Sequence, residues 1–338
     1  MKLRIGLLGG GRIGKLHGTN LQNAVQDAEV VVLADPFMNE DMEAWAGSIG
    51  IPKCTKDADE VFADPDVDAV FICSSTDTHA NFIIKAAKAG KDIFCEKPIH
   101  TDIAKIKEAI AAAEDAGVKL QVGFVRRFDH NHKAVRDVVA SGELGKTYVV
   151  KVTSRDPEGP PMSYVEVSGG IFNDMMIHDF DMVRYLSGSE VTEVNAVGAV
   201  LTDPEYAKYD DVDTAIVTLR FANGAIGVID NCRTAPYGYD QRVEVHCEKG
   251  CVRDGNDLEH EAVVSRGDGV FSAKPTWFFL ERYNDAFIEE EKEFVDAVLG
   301  NKPVPVDGND GLQPVRIALA AKKSLKEGRT VRMDEIEG

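Results

Sequence analysis

Residues 3–14, LRIGLLGGGRIG, constrain the fold more than any other part of the chain. Leu3, Ile5, Leu7 and Leu8 read as a short buried strand that runs into glycines and then into a helix. Gly9, Gly11 and Gly14 fit G-x-G-x-x-G: a tight turn, a backbone bare enough to meet a pyrophosphate, and close helix–strand packing. A helix starting there directs unpaired N–H groups and its positive dipole end at phosphates. Glycine-rich turns are common, so the pattern needs context. A second apolar run, 29–34, ends in Asp35, 21 positions beyond Gly14, where an acidic side chain takes adenosine ribose hydroxyls. That carboxylate would repel the extra phosphate of NADP, and Pro36 and Phe37 offer no cation to attract it. The expected cofactor is NAD.

Strand and helix signals alternate through the first third of the chain. A helix is expected over 39–48, then a nearly continuous apolar run at 68–74 suited to a parallel strand covered on both faces. Residues 77–89 read as a helix with Asp77 as N-cap and Gly90 as its stop. A strand at 92–97, a helix capped by Thr101 or Asp102 and ended by Gly117, and a strand at 119–124 follow. This βαβ rhythm implies an α/β fold whose first domain is a doubly wound parallel sheet of Rossmann type. Ligands in such sheets bind at the carboxyl ends of the strands. The loops Ser74-Ser75-Thr76, Glu96-Lys97-Pro98 and Arg126-Arg127 are therefore expected at the dinucleotide.

Beyond Gly145 the pattern becomes alternating or β-branched, at 148–154, 191–200, 212–221, 225–230 and 242–247, with hairpin-like breaks such as Ala222-Asn223-Gly224. One helix interrupts, over 171–186, and two more close the chain, over 281–299 and 311–326. The second domain is expected to be α+β, with an open, mostly antiparallel sheet and helices on one face. The domains are expected to span 1–123 and 124–338.

Composition narrows the partners. The formal charge of −19 over 338 residues argues against nucleic acid, which is bound mainly by Lys and Arg, and against anionic membranes. No signal peptide is expected, and no apolar run approaches the ~20 residues that span a bilayer. The six cysteines show no C-x-x-C pair. Cys73 and Cys95 sit in expected buried strands, where cysteine behaves as a small hydrophobe. His246, Cys247 and Cys251 lack a fourth ligand at zinc-site spacing, so no metal is expected. A reducing, cytoplasmic setting fits.

Asp174, His178 and Asp181 fall at i, i+4 and i+7 of the expected 171–186 helix and share a face. A carboxylate one turn before an imidazole can fix its tautomer and free the other ring nitrogen to take a proton from an alcohol. The same spacing also suits a first-turn carboxylate and a packing histidine, and taken alone it favours that plainer role. Lys97 shifts the balance. It ends a buried strand at the mouth of the dinucleotide site, where Ile93, Phe94, Cys95 and Pro98 leave little room for a fully exposed side chain.

Together, residues 9–14, Asp35, the Glu96-Lys97-Pro98 tripeptide and the D-x-x-x-H helix resemble the Gfo/Idh/MocA oxidoreductases, over essentially the whole chain. GFVRRFD (123–129), SRDP (154–157), SGGIFNDMMIHDFDM (168–182), YGYDQR (237–242) and FFLERY (278–283) are similar to the inositol-oxidising branch of that family. The resemblance implies Lys97, Asp174 and His178 as the catalytic set. It implies Arg127, Asp156, Asp181, Tyr237 and Tyr283, with Asp174 and His178, around a small polyol, myo-inositol. It places Arg12, Ile13, Ser74, Thr76, His79, Glu96 and Lys97 with the glycines and Asp35 around NAD. It also implies a homotetramer joined through the open sheet. Oxidation of another polyol or sugar, such as scyllo-inositol or glucose, is the nearest alternative. A non-catalytic NAD-binding sugar sensor is a further one.

Overall fold

The computed structural model describes residues 2–336. Six parallel strands form the first sheet: β1 (Leu3–Leu8), β2 (Ala28–Ala34), β3 (Cys54–Thr55), β4 (Ala69–Ile72), β5 (Asp92–Glu96) and β6 (Leu120–Gly123), in the order β3-β2-β1-β4-β5-β6. The order reverses between β1 and β4, so the loops after these two strands flank the crevice where doubly wound sheets take ligands. Strands buried on both faces explain the unbroken apolar run AVFI of β4.

Local chemistry sets the helix ends. The Asp102 carboxylate accepts from the amides of Ala104 and Lys105 and opens Ile103–Ala116, which Gly117 closes at φ 67°. The helix expected at 77–89 begins one residue earlier, as Thr76–Lys88, with Ser75 rather than Asp77 in the N-cap position. Asp77 instead sits in the first turn, where its charge suits the helix dipole.

The chain's two compact units are not consecutive segments. The first gathers the residues up to Val125 and also Asp285–Gln313; the second holds Arg126–Asn284 and, among the described residues, 314–336. The reason lies in the core. Phe294 and Val295, from the helix Asn284–Leu299, are buried in the same cluster as Leu3, Ile5, Leu7, Phe71 and Phe94.

The second unit is built on seven strands: β7 (Thr147–Arg155), β8 (Val191–Ala199), β9 (Thr214–Phe221), β10 (Ile226–Cys232), β11 (Asp240–Cys247), β12 (Gly250–Arg253) and the short final strand Val331–Arg332. Only β7 and β10 run parallel; the other neighbours pair antiparallel. Along β9, Ala215, Val217, Leu219 and Phe221 are buried while Ile216, Thr218 and Arg220 are exposed. One face of the sheet therefore covers a core and the other is open in this chain. No helix among the described residues is long and apolar enough to cross a membrane.

Candidate active site

In the first unit, the turn after β1 is shaped for a phosphate. Gly9 has φ 103°, and a Cβ there would lie 2.6 Å from the Cys73 carbonyl oxygen. A Cβ on Gly14 would lie 2.0 Å from the Gly9 oxygen. Both positions therefore exclude any side chain. A Cβ on Gly11 would meet nothing within 4 Å, so this backbone is left bare on its open side. Gly11 is also the N-cap of the helix Arg12–Asn23, and no side chain caps it, which leaves its first amides for a ligand. Asp35 is 9% exposed, and its carboxylate accepts from the amides of Gly10 at 2.7 Å and Phe37 at 2.8 Å. It thus holds the glycine turn and β2 together. These residues fit a dinucleotide: bare glycine and uncapped helix amides lie in one turn, and a carboxylate from the end of β2 is bonded to it.

Around that turn, Ile13 and Thr76 are half-buried and Arg12 is exposed. Ser74 Oγ lies 2.6 Å from Thr78 Oγ1. His79 and Glu96, expected beside the cofactor, each have partners within the protein. The buried His79 ring lies between two carbonyls, 2.9 Å from that of Pro98 and 3.1 Å from that of Ser74. Burial lowers its pKa while both carbonyls oppose that, and the ring lies between the loop after β4 and the loop after β5. One oxygen of Glu96 lies 2.9 Å from His17 Nε2, and the other accepts the Lys97 amide at 3.2 Å. Lys97 is half-buried, and its bond to Pro98 is cis.

In the second unit, the helix expected over 171–186 is broken. Ile171–Asp174 and Ile177–Ser187 are separate helices, because the Met176 amide reaches back to Ile171 oxygen, one residue beyond the α-helical partner. Asp174 and His178 lie on either side of this slip, both half-buried. Asp174 is gripped by groups with no sequence signal. Tyr164 donates to its Oδ1 at 2.9 Å, and both terminal nitrogens of Arg233 lie 3.3 Å from its Oδ2. Asp156 is half-buried nearby; burial pushes its carboxyl up to about 6, although Arg233 and Arg126 pull it down.

Asp181, expected on the pocket wall, holds a neighbour. It is 1% exposed, and both its oxygens accept from Arg127, at 2.5–3.1 Å. Tyr237 is exposed and donates to Asp240 at 2.6 Å while Arg155 donates to its oxygen at 3.1 Å. The Tyr283 ring is buried beneath two guanidinium groups, 4.8 Å from Arg282 and 5.9 Å from Arg126. Its hydroxyl has no hydrogen-bond partner among the described residues. Arg126 itself donates to Asp179 at 2.5 Å, and Asn231 takes the other oxygen of that carboxylate at 2.6 Å.

Two family models match the chain. One, described as an oxidoreductase family with an NAD-binding Rossmann fold, covers residues 3–124; the other, a GFO/IDH/MocA C-terminal domain, covers 132–253. An uncharacterized oxidoreductase of Bacillus subtilis is 48% identical over 98% of this chain and 97% of its own. The myo-inositol 2-dehydrogenase of Thermotoga maritima is 47% identical over 99% of this chain and 100% of its own. A crystal structure of myo-inositol dehydrogenase from Lactobacillus casei, in complex with NAD(H) and myo-inositol, superposes with a TM-score of 0.88 at 27% identity, covering 98% of this chain and 97% of that one.

The buried Arg127–Asp181 pair makes a prediction about stability. Asp181→Ala strips a largely buried guanidinium of the carboxylate that holds it, and should cost about 3–5 kcal/mol in urea unfolding. A loss below about 1 kcal/mol would mean that water or another group replaces Asp181 easily.

Proposed function

We propose that this chain, which belongs to the Gfo/Idh/MocA family of NAD-binding oxidoreductases, oxidises the axial hydroxyl of myo-inositol to the 2-ketone. What carries the reading is that Lys97, Asp174 and His178 occur together, each half-buried, in a chain matched by that family's models in both halves. Half-burial leaves such groups accessible to a substrate while limiting the water that would compete for it.

In this reading Gly9, Gly11 and Gly14 receive the pyrophosphate, flanked by Arg12, Ile13, Ser74 and Thr76, and Asp35 takes the adenosine ribose. When bound, NAD supplies the hydride acceptor. His178 removes the hydroxyl proton, and Lys97 donates a hydrogen bond to the same oxygen as charge develops on it. Asp174, held by Tyr164 and Arg233, favours the protonated imidazole that results. Arg127, Asp156, Tyr237 and Tyr283 meet the remaining hydroxyls. For Tyr283 the support is specific: a buried phenol without a partner costs free energy that a polyol oxygen would recover. The name of the Thermotoga maritima relative supports the same substrate.

We further place the enzyme in the cytoplasm, in keeping with six free cysteines, as a homotetramer. The outward residues of the open sheet include the exposed Val197, Ile216 and Ile226, which association would cover.

Three measurements test this. Mixing enzyme, NAD and myo-inositol should raise the absorbance of reduced nicotinamide, and Lys97→Ala or His178→Ala should each lower kcat about 10²–10⁴-fold while NAD still binds. Near-normal turnover in either variant removes that residue's assignment. The substrate-facing form of Asp156 is the carboxylate, so kcat/KM should fall about tenfold per pH unit below an inflection near 6. Asp156→Asn should abolish that limb; a limb unchanged in the variant would assign it to another group. Sedimentation at micromolar concentration should give four times the chain mass, and Ile216→Glu should reduce it. A monomer with full activity would overturn the assembly.

A further inference from the structure

His17 has no part in the chemistry above, yet it sits at the centre of the most desolvated charge cluster in the first unit. It lies on the buried side of the helix that follows the glycine turn and is 0% exposed. Its Nδ1 is 2.7 Å from Glu291 Oε1 and its Nε2 is 2.9 Å from Glu96 Oε1. The rings of Phe94, Phe287 and Phe71 enclose it at 5.1, 5.5 and 5.7 Å. A neutral imidazole carries one N–H, so it would turn a lone pair toward one of these two carboxylates. The imidazolium, which donates at each nitrogen, satisfies both carboxylates at once, while burial raises the Glu291 carboxyl to about 7. Burial alone would lower the pKa of His17, but the two carboxylates outweigh that and lift it to about 10. Glu290 also approaches this group. An imidazolium that donates at both nitrogens offers a metal ion no lone pair.

The cluster does not stop at Glu96. The second oxygen of that carboxylate accepts the amide of Lys97. A continuous chain of contacts thus runs from Glu291, through the ring, through Glu96, to the backbone of the residue whose amine serves the substrate oxygen. The first two links are charge-assisted, hence short and directional. They join three distant segments: the helix Arg12–Asn23, the end of β5 and the helix Asn284–Leu299.

We propose that His17 is a positioning residue for Lys97, clamping Glu96 so that the lysine leaves the end of β5 in one fixed direction. This rests on the reading of Lys97 as a catalytic group. A lysine displaced by as little as an ångström loses its alignment with the developing oxyanion, a misplacement worth about 10²-fold in rate. Gln at position 17 donates to one carboxylate but cannot bridge both.

The test compares His17→Gln in the full-length enzyme and in a Lys97→Ala background, with kcat, KM for myo-inositol and the NAD dissociation constant measured for each. If His17 acts through Lys97, the substitution lowers kcat about 10–100-fold in the parent and less than about twofold in the Lys97→Ala enzyme. NAD affinity and KM should stay within about threefold. The same kcat factor in both backgrounds, or a loss carried by NAD affinity, overturns the proposal and leaves His17 a packing residue. Should His17→Gln fail to fold, Glu291→Gln answers the same question: it keeps an acceptor for Nδ1–H but removes charge, so a smaller kcat loss should again vanish without Lys97. Normal turnover in Lys97→Ala alone would instead sink the functional reading, and with it this one.

Discussion

A charge taken out of water costs several kcal/mol unless a partner and hydrogen bonds replace its hydration, and this chain buries charge repeatedly. His17 meets Glu96 and Glu291; Arg126 meets Asp179, whose other oxygen is taken by Asn231; Arg282 meets Asp129; Arg127 meets Asp181. Every one of these carboxylates has its partner fixed by geometry rather than by proximity in sequence. Breaking such a pair is expensive even where forming it gains little, so each pair acts as a specification of where two segments must lie. The residues proposed to meet ligands adjoin such contacts. Lys97 follows Glu96, Arg127 is gripped by Asp181, and Asp174 is held by Arg233.

The same arrangement explains what could be read from the chain and what could not. The glycine turn, Asp35 and the parallel strands were legible because each follows from local rules: a positive φ at Gly9, an apolar run at β4, a cap at Asp102. Lys97 stands half-buried just after β5, the placement its sequence context implies. Asp174 and His178 were found by spacing, but the continuous helix assumed for them was not there, since one backbone hydrogen bond slips at Met176 and no residue type announces such a slip. Glu96, His79 and Asp181 are marked by sequence as ligand-facing, and the structure also gives each a protein partner. Polar residues at the mouth of a site and polar residues that brace it look alike in sequence. His17 carried a faint signal. It falls on the buried side of its helix with Gly14, Gly18 and Leu21, where a histidine requires partners, but those partners lie 79 and 274 positions away. Arg233 and Tyr164 gave none.

Fixing the ligand-facing groups in this way has an energetic logic. A polyol presents several hydroxyls of nearly equal chemistry, so discrimination depends on holding donors and acceptors where only one orientation satisfies them. In the proposed reading, the hydroxyl of Tyr283, buried with no partner among the described residues, is a cost in the free protein that a correctly placed substrate oxygen offsets. The Asp156 carboxyl, raised by burial yet flanked by Arg233 and Arg126, is similarly poised. Such groups destabilise the empty protein slightly in exchange for selectivity.

The split of the first unit across the chain has its own consequence. Phe294, Val295 and Glu291 belong to the core and the charge cluster of a unit whose sheet is complete at Gly123. During synthesis the whole of Arg126–Asn284 emerges from the ribosome between the sheet and the helix that seals it. Until then His17 and Glu96 lack Glu291, and apolar surface of β1 and β4 stays uncovered. The nascent sheet must therefore wait, exposed to aggregation and to chaperones, while its sealing helix is translated.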